Sequence, residues 1–495
     1  MLRKVLLFIP LLIVISPELL ATGPSYIQAD PIVTMSTNQN TLVKINVKWT
    51  GSGSITANGK ALINDFEINN RIPAPADSSV VLIATGDVQL THLDCTHNSL
   101  STLDITKCTK LKYLRCGDNS LTALDISKCP ELTRLGCYTN PLKKLDLTGC
   151  PKLTDLICSY NILHSLDVSN CPELTYLDCR GNFLTTLDLT NCPMLTTLWT
   201  LHNSLTTLNV TGCPELVNLD CRENSLPVLD ITKCTKLKEL NCSNNSLSAL
   251  DVSNCLILDK LDCSKNSLST LDVTNCMKLT VLICNNNSLI DLDVTNCPKL
   301  TTLVCYDNSL TELDITKCPE LWDLHCSNNS LSNLDVTKCP KLSMLICSEN
   351  SLTTLDVIKC IELVNLDCTD NYLTALDVTN CTDLRMLYCY NNALTVLDVT
   401  NCTRLRDFYA HDQTPELPVA VSDGTKLHIK QPITFTGVEV MIDNVSHNGT
   451  YKDGNITWTV SGKSGEVTFD FATELPEGIK GEPFSGTVTQ PWTKK

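Results

Sequence analysis

Cysteine recurs from Cys95 to Cys402 at alternating spacings of C-x12-C and C-x7-C, with one gap at Thr200. Twenty-nine thiols could make disulfides, hold zinc or act as nucleophiles. Their regularity argues against all three. A nucleophile is needed once, and no C-x2-C pair offers a compact tetrahedral metal site. Eight scattered histidines supply neither an HExxH motif nor a base for a thiol. Stacked cysteines about 5 Å apart lie within disulfide reach, but their Cβ vectors would run parallel, and one of the two columns holds an odd number. The expected state is a buried free thiol acting as a small hydrophobe. No catalytic residue, metal site or cofactor is expected, and the chain is not read as an enzyme.

A second series could bind cations. Aspartate stands at one position of a repeating unit, from Asp104 to Asp398, with Asn209 the single exception. Like charges about 5 Å apart repel by roughly 3 kcal/mol at an effective dielectric of 20. The stripe must therefore face solvent, bond to the neighbouring Thr or Ser, or be partly neutralised by lysines such as Lys107 and Lys128. Single carboxylates in a row lack the six to eight oxygens of a calcium site.

Both series belong to one frame. From Leu90 to Arg404 the sequence repeats a 21-residue unit fifteen times without insertion or deletion: L-x-x-L-x-C-x-x-N-x-L-x-x-L-D-V-T-x-C-x-x. A fixed period built on L-x-x-L-x-L-x-x-N-x-L is the signature of leucine-rich repeats. Leu fills four columns in every rung and Val, Ile or Leu a fifth. The segments L-x-C and L-D-V alternate with period two, so each rung is expected to give one short strand to each of two parallel ladders. Asn98, Asn119, Asn140 and their successors recur in all fifteen rungs, where an uncharged amide can satisfy a buried turn. The predicted fold is a mainly β solenoid of about fifteen rungs with a degenerate last strand over 405–412, some 70 Å long at about 4.8 Å per rung.

The flanks complete the layout. Residues 1–21 read as a signal peptide: Arg3 and Lys4 precede an apolar run too short to span a bilayer. Cleavage is expected after Ala21. Residues 24–86 read as a β-rich N-terminal cap, 87–414 as the solenoid, and 415–495 as an immunoglobulin-like β-sandwich. The chain carries 54 acidic against 38 basic residues, a net charge of −16, which argues against nucleic acid or an anionic membrane as partner. A secreted or cell-surface monomer is expected, without a transmembrane segment in the mature chain.

A 21-residue leucine-rich repeat with cysteine in place of a strand leucine resembles the internalin family, and most closely its cysteine-ladder, internalin J-like members. The resemblance covers residues 90–412. It implies a bacterial surface adhesin that engages host proteins or mucin-type ligands through a concave strand face. Copies such as LTYLDCRGNFLTTLDLTNCP also look like repeats of secreted surface proteins of Gram-negative gut and oral anaerobes. The chain departs from the family in reading as strands, not helices, before the repeats, and no LPxTG motif follows the C-terminal region, so covalent wall anchoring is not expected.

Whatever recurs in each rung is explained by the stack, so ligand contacts must lie in the outward columns that vary. Two groups stand out there. Tyr138, Tyr176, Arg180, Trp199, Leu201 and Arg222 form the first; Met386, Tyr388, Tyr390, Tyr409 and His411 form the second. Exposed aromatics with arginines suit a protein hot spot, and rings on a flat sheet also suit sugar stacking. The second group could instead pack against the C-terminal domain. The expected function is binding of a host or neighbouring-cell protein; a glycan ligand, or a spacer role displaying the C-terminal domain, are the alternatives.

Overall fold

The computed structural model describes residues 31–494 except 38–40, 66, 68–69, 75–77, 418, 423–425, 431–433, 436–439, 447–448, 453–454, 460–463 and 476–478. The expected signal peptide lies outside the described residues. Among the described residues there is no helix. A continuous ladder of parallel strands starts at Gln89–Asp94, and fifteen three-residue strands follow, from Tyr113–Arg115 to Asp407–Tyr409. The register never slips. Leu93, Leu114, Leu135 and their successors pair in line as far as Leu387 and Phe408. The central leucine of each strand and the cysteine after it point inward and are buried, with Thr200 in the cysteine's place once and Phe408 and Ala410 closing the series.

The opposite edge departs from expectation. It forms parallel strand pairs only at Thr186–Asp188 with Thr207–Asn209 and at Ala375–Asp377 with Val396–Asp398. In paired and unpaired rungs alike, backbone donors after this edge go into turns. The Cys318 N–H donates to the Ile315 carbonyl (2.9 Å) and the Leu321 N–H to the Cys318 carbonyl (3.2 Å). The aspartate four residues before each loop cysteine ties the turn from its side chain: Asp314 Oδ1 accepts from the Thr316 N–H (2.9 Å) and hydroxyl (2.6 Å). The paired rungs carry the same bonds, with Asp188 Oδ1 accepting from the Thr190 N–H (3.1 Å) and hydroxyl (2.9 Å), so these bonds shape the turn without excluding a ladder. The aspartate stripe is thus a row of side-chain turns, and the bonds from Thr or Ser hold its carboxyls below their usual range, for example at Asp314 and Asp335.

Asparagine ties the rungs together. The Asn245 amide donates to the carbonyls of Cys221 (3.0 Å), Cys242 (3.1 Å) and Ser243 (3.3 Å), while its Oδ1 accepts from the Leu226 N–H (3.0 Å). The same pattern runs along the stack. At its start Asn98 turns to Lys44 of the N-terminal region, donating to its carbonyl and accepting from its N–H, both at 2.7 Å. At its end Gln413 takes the asparagine's place, bonding the Cys389 carbonyl (2.8 Å) and the Leu394 N–H (2.9 Å).

Open strand edges at the ends would template aggregation. At the N-terminal end Thr41–Thr50 adds antiparallel to Gln89–Asp94, and Pro31–Thr37 adds to Leu100–Asp104, so both edges are closed by a β-rich cap. At the other end Asp407–Tyr409 pairs with Lys480–Glu482, and Val396–Leu397 with Thr434–Phe435. Among the described residues beyond 415, the remaining strands form two small sheets, whose Trp458 and Phe469 rings meet at 6.2 Å.

All 29 cysteines are free and buried. Loop thiols donate to carbonyls of the preceding rung, as Cys318 does to Val294 (3.6 Å) and Cys297 (3.7 Å). Burial pushes the Cys137 thiol up to about 12 and Cys129 to about 11. Such thiols stay protonated and inert.

Candidate strand-face binding site

Three outward columns flank the buried leucine and cysteine of the ladder. Tyr176 opens one strand and Trp199 closes the next, so they lie diagonally across adjacent rungs. Their rings meet edge to face, with centroids 5.4 Å apart at 75°. Arg180 lies over the Trp199 ring, its guanidinium 4.5 Å from the centroid. The same guanidinium is held by Asp178: Nε reaches both carboxylate oxygens (2.9 and 3.0 Å) and Nη2 one of them (2.8 Å). Asp178 is buried while Arg180, Tyr176 and Trp199 are half-buried. Burial pushes the Tyr176 phenol up to about 12, so it remains a neutral donor. Three residues singled out from sequence are therefore one preassembled cluster.

The other members fall differently. Tyr138 lies over Gly117, where a Cβ would meet its ring at 2.5 Å, and its hydroxyl accepts from Arg115 Nη2 (3.2 Å). It belongs with Arg115, not with Trp199. Leu201 was expected to face outward, but it is 4% exposed. Its column neighbours are Arg180 and Arg222, and a short apolar side chain between two long ones sinks into the sheet edge. It offers no ligand surface. Arg222 stands beside Asp220 at 3.5 Å, and its Nε has no hydrogen-bond acceptor. Burial raises the Asp220 carboxyl, against the pull of Arg222.

Next to Trp199 the face holds a hollow of about 290 Å³. Asp220, Asn241 and Asp262 line its floor, Glu239 and Lys260 one side, and Val281 and Ile283 the far end. None of these was singled out from sequence. The signal was present, since Val281, Ile283, Val304 and Ile346 are apolar residues in outward columns, but they lack the aromatic character that drew notice.

The second group sits at the end of the ladder. Tyr388 and Tyr409 meet edge to face at 5.2 Å, and Tyr390 stacks on His411 at 4.8 Å and 5°. The Met386 sulfur lies 4.0 Å from the Tyr388 hydroxyl. His411 reaches Glu482 (3.4 Å), and the Tyr409 strand pairs with Lys480–Glu482. Tyr409 and His411 thus belong to the joint with the C-terminal sheets.

Comparison with known proteins agrees with this architecture. Residues 437–493 match the family model described as LRR adjacent. Internalin I of Listeria monocytogenes serotype 4b is 38% identical over 85 residues, 17% of this chain. That match spans only 5% of Internalin I's own length. The functional domain of InlJ from Listeria monocytogenes, whose structure includes a cysteine ladder, superposes with a TM-score of 0.71 at 34% identity. It covers 84% of this chain and 93% of its own. A leucine-rich-repeat protein of Leptospira interrogans (TM-score 0.58, 24% identity, 64% of this chain and 88% of its own) shares the fold. With its unbroken leucine-rich ladder, buried cysteines and a relative matched along nearly its whole length, the chain belongs to the internalin family.

Proposed function

We propose that this protein is an exported bacterial binding protein, displayed at the cell surface or secreted, that holds a protein ligand on its strand-ladder face. The observation that carries this reading is the cluster of Tyr176, Arg180 and Trp199, assembled across two rungs and still partly exposed. Aromatic and arginine anchors whose rotamers are already fixed are what binding hot spots use, because the ordering cost is met in folding. No step of catalysis is assigned to any residue; the thiols are inert and the stripe aspartates are tied into turns. The C-terminal sheets are taken to be an immunoglobulin-like unit, and residues 1–21 an export signal. The test is capture from host-cell extract by the full chain. The double variant Tyr176→Ala/Trp199→Ala should capture at least tenfold less while melting as the parent does; unchanged capture would refute the site.

A glycan ligand is the second reading, favoured by one observation. Tyr160 is 53% exposed, and its ring lies over Gly181, where a Cβ would come within 2.6 Å. A ring laid flat on backbone presents its face for sugar stacking. A glycan array separates the two readings.

A further inference from the structure

The hollow beside Trp199 has a chemistry of its own. Asp220, Asn241 and Asp262 occupy one outward column on successive rungs, so two carboxylates flank one amide. Asp262 is held by neutral donors: the Ser264 N–H (3.1 Å) and hydroxyl (2.7 Å), and the Asn241 amide (3.1 Å). Lys260 is spent on Glu239 at 2.9 Å. Asp220 and Arg222 repeat the Asp-Cys-Arg order of Asp178 and Arg180, yet the outcome differs. The earlier pair closes with three side-chain bonds, whereas the later one stays 3.5 Å apart. Asp220, Glu239 and Asp262 thus line the hollow beside one lining cation, Lys260; Arg222 and Arg180 bear on Asp220, Arg180 being already held by Asp178, and neither Lys260 nor the arginines pair with Asp262.

The ends of the hollow are apolar, with Trp199 at one and Val281 and Ile283 at the other. Four rungs separate them, about 19 Å at 4.8 Å per rung, which an extended chain crosses in about six residues. Resting on the binding role given above, we propose that the hollow seats an extended segment of the partner protein. That segment places one Lys or Arg over Asn241 and apolar side chains on Trp199 and on Val281 and Ile283. A cation there balances the surplus carboxylate and relieves Asp220 and Asp262 of one another, while the apolar contacts at the two ends set the register.

The probes are terminally blocked, fluorescein-labelled hexapeptides with leucine at both ends and Lys, norleucine or Glu at the centre. Binding to the full chain is read by fluorescence polarisation. The Lys peptide should bind about tenfold more tightly than the norleucine peptide, the scale of one well-placed charge pair, and the Glu peptide more weakly than both. Asp262→Asn and Asp220→Asn should each shrink the Lys advantage to under about threefold, while Trp199→Ala weakens all three peptides alike. Equal affinities, a preference for Glu, or a Lys advantage intact in both Asn variants would overturn the proposal. So would the absence of any peptide binding. In that case capture of a whole protein that still depends on Tyr176 and Trp199 leaves the broader reading standing, and capture that ignores them removes it too.

Discussion

The Arg180 guanidinium lies 4.5 Å over the Trp199 ring while Asp178 grips it from the same rung. A cation held by a carboxylate on one side and a ring on another cannot swing away. Its side-chain entropy, otherwise lost on binding, is already lost in the free protein. The same interactions leave Tyr176 and the indole partly accessible, which is how a rigid ladder offers a specific surface.

The asparagine column should dominate stability. In Asn245→Ala the Leu226 N–H loses its acceptor, while the carbonyls of Cys221, Cys242 and Ser243 each lose one donor and keep another, from Asn224, Asn266 and the Glu223 N–H. Four bonds lost with one buried donor left unsatisfied should cost about 1–3 kcal/mol. Urea unfolding measures it; a loss under about 1 kcal/mol would mean that water replaces the amide.

A left-handed position recurs in every rung, immediately before the asparagine. Thr139 has φ 50°, Tyr160 53° and Glu223 55°; the only glycine in the column is Gly181. A non-glycine residue pays roughly 1 kcal/mol there, and a β-branched one more. Thr139→Asn, at an exposed site, should therefore raise unfolding free energy by about 0.5–1 kcal/mol. Gly181→Ala should lower it, because the new Cβ would lie 2.6 Å from the Tyr160 ring.

The aspartate stripe sets an acid limit. Bonds from Thr hold the Asp314 and Asp335 carboxyls below their usual range, and thus below their unfolded values. Their contribution is present above the unfolded value of about 4 and is lost as pH falls through the lower folded one. Asn209 already fills this role with an amide, accepting from the Thr211 N–H (3.1 Å) and hydroxyl (2.7 Å). Replacing Asp314 and Asp335 by Asn should keep the fold at neutral pH and make the loss below pH 4 shallower, as urea midpoints at pH 7 and pH 3 would record.

The thiols should be silent. An aromatic disulfide reagent should titrate none of the 29 cysteines in the native protein and all of them in denaturant. Rapid native reaction of even one column would mean that rungs open locally.

Much of this was legible in the sequence because a solenoid repeats each decision fifteen times. Leu114, Cys116 and Asn119 are fixed by the stack, and so are all their counterparts. What the repeat does not encode is how long neighbours share a column. Leu201 reads as outward by register but is buried between Arg180 and Arg222. Gln413 lies past the last full repeat, yet one extra methylene lets it reach the same carbonyls as the asparagines. The left-handed column left only a partial signal: Asp118, Gly181, Asn244, Asn286 and Asp307 suit that region, but His97, Thr139 and Lys265 break the pattern. The second edge pairs in only some rungs although paired and unpaired rungs carry the same Asp–Thr turn, so its gaps are not written in the repeat.

Hydrogen exchange on the full chain with and without its captured protein ligand tests the central claim most directly. Protection is expected in the strands Tyr176–Asp178, Thr197–Trp199 and Asn218–Asp220, with the Asp–Thr edge unchanged. Protection confined to residues beyond 415, with the ladder unaffected, would contradict the account and make the solenoid a spacer.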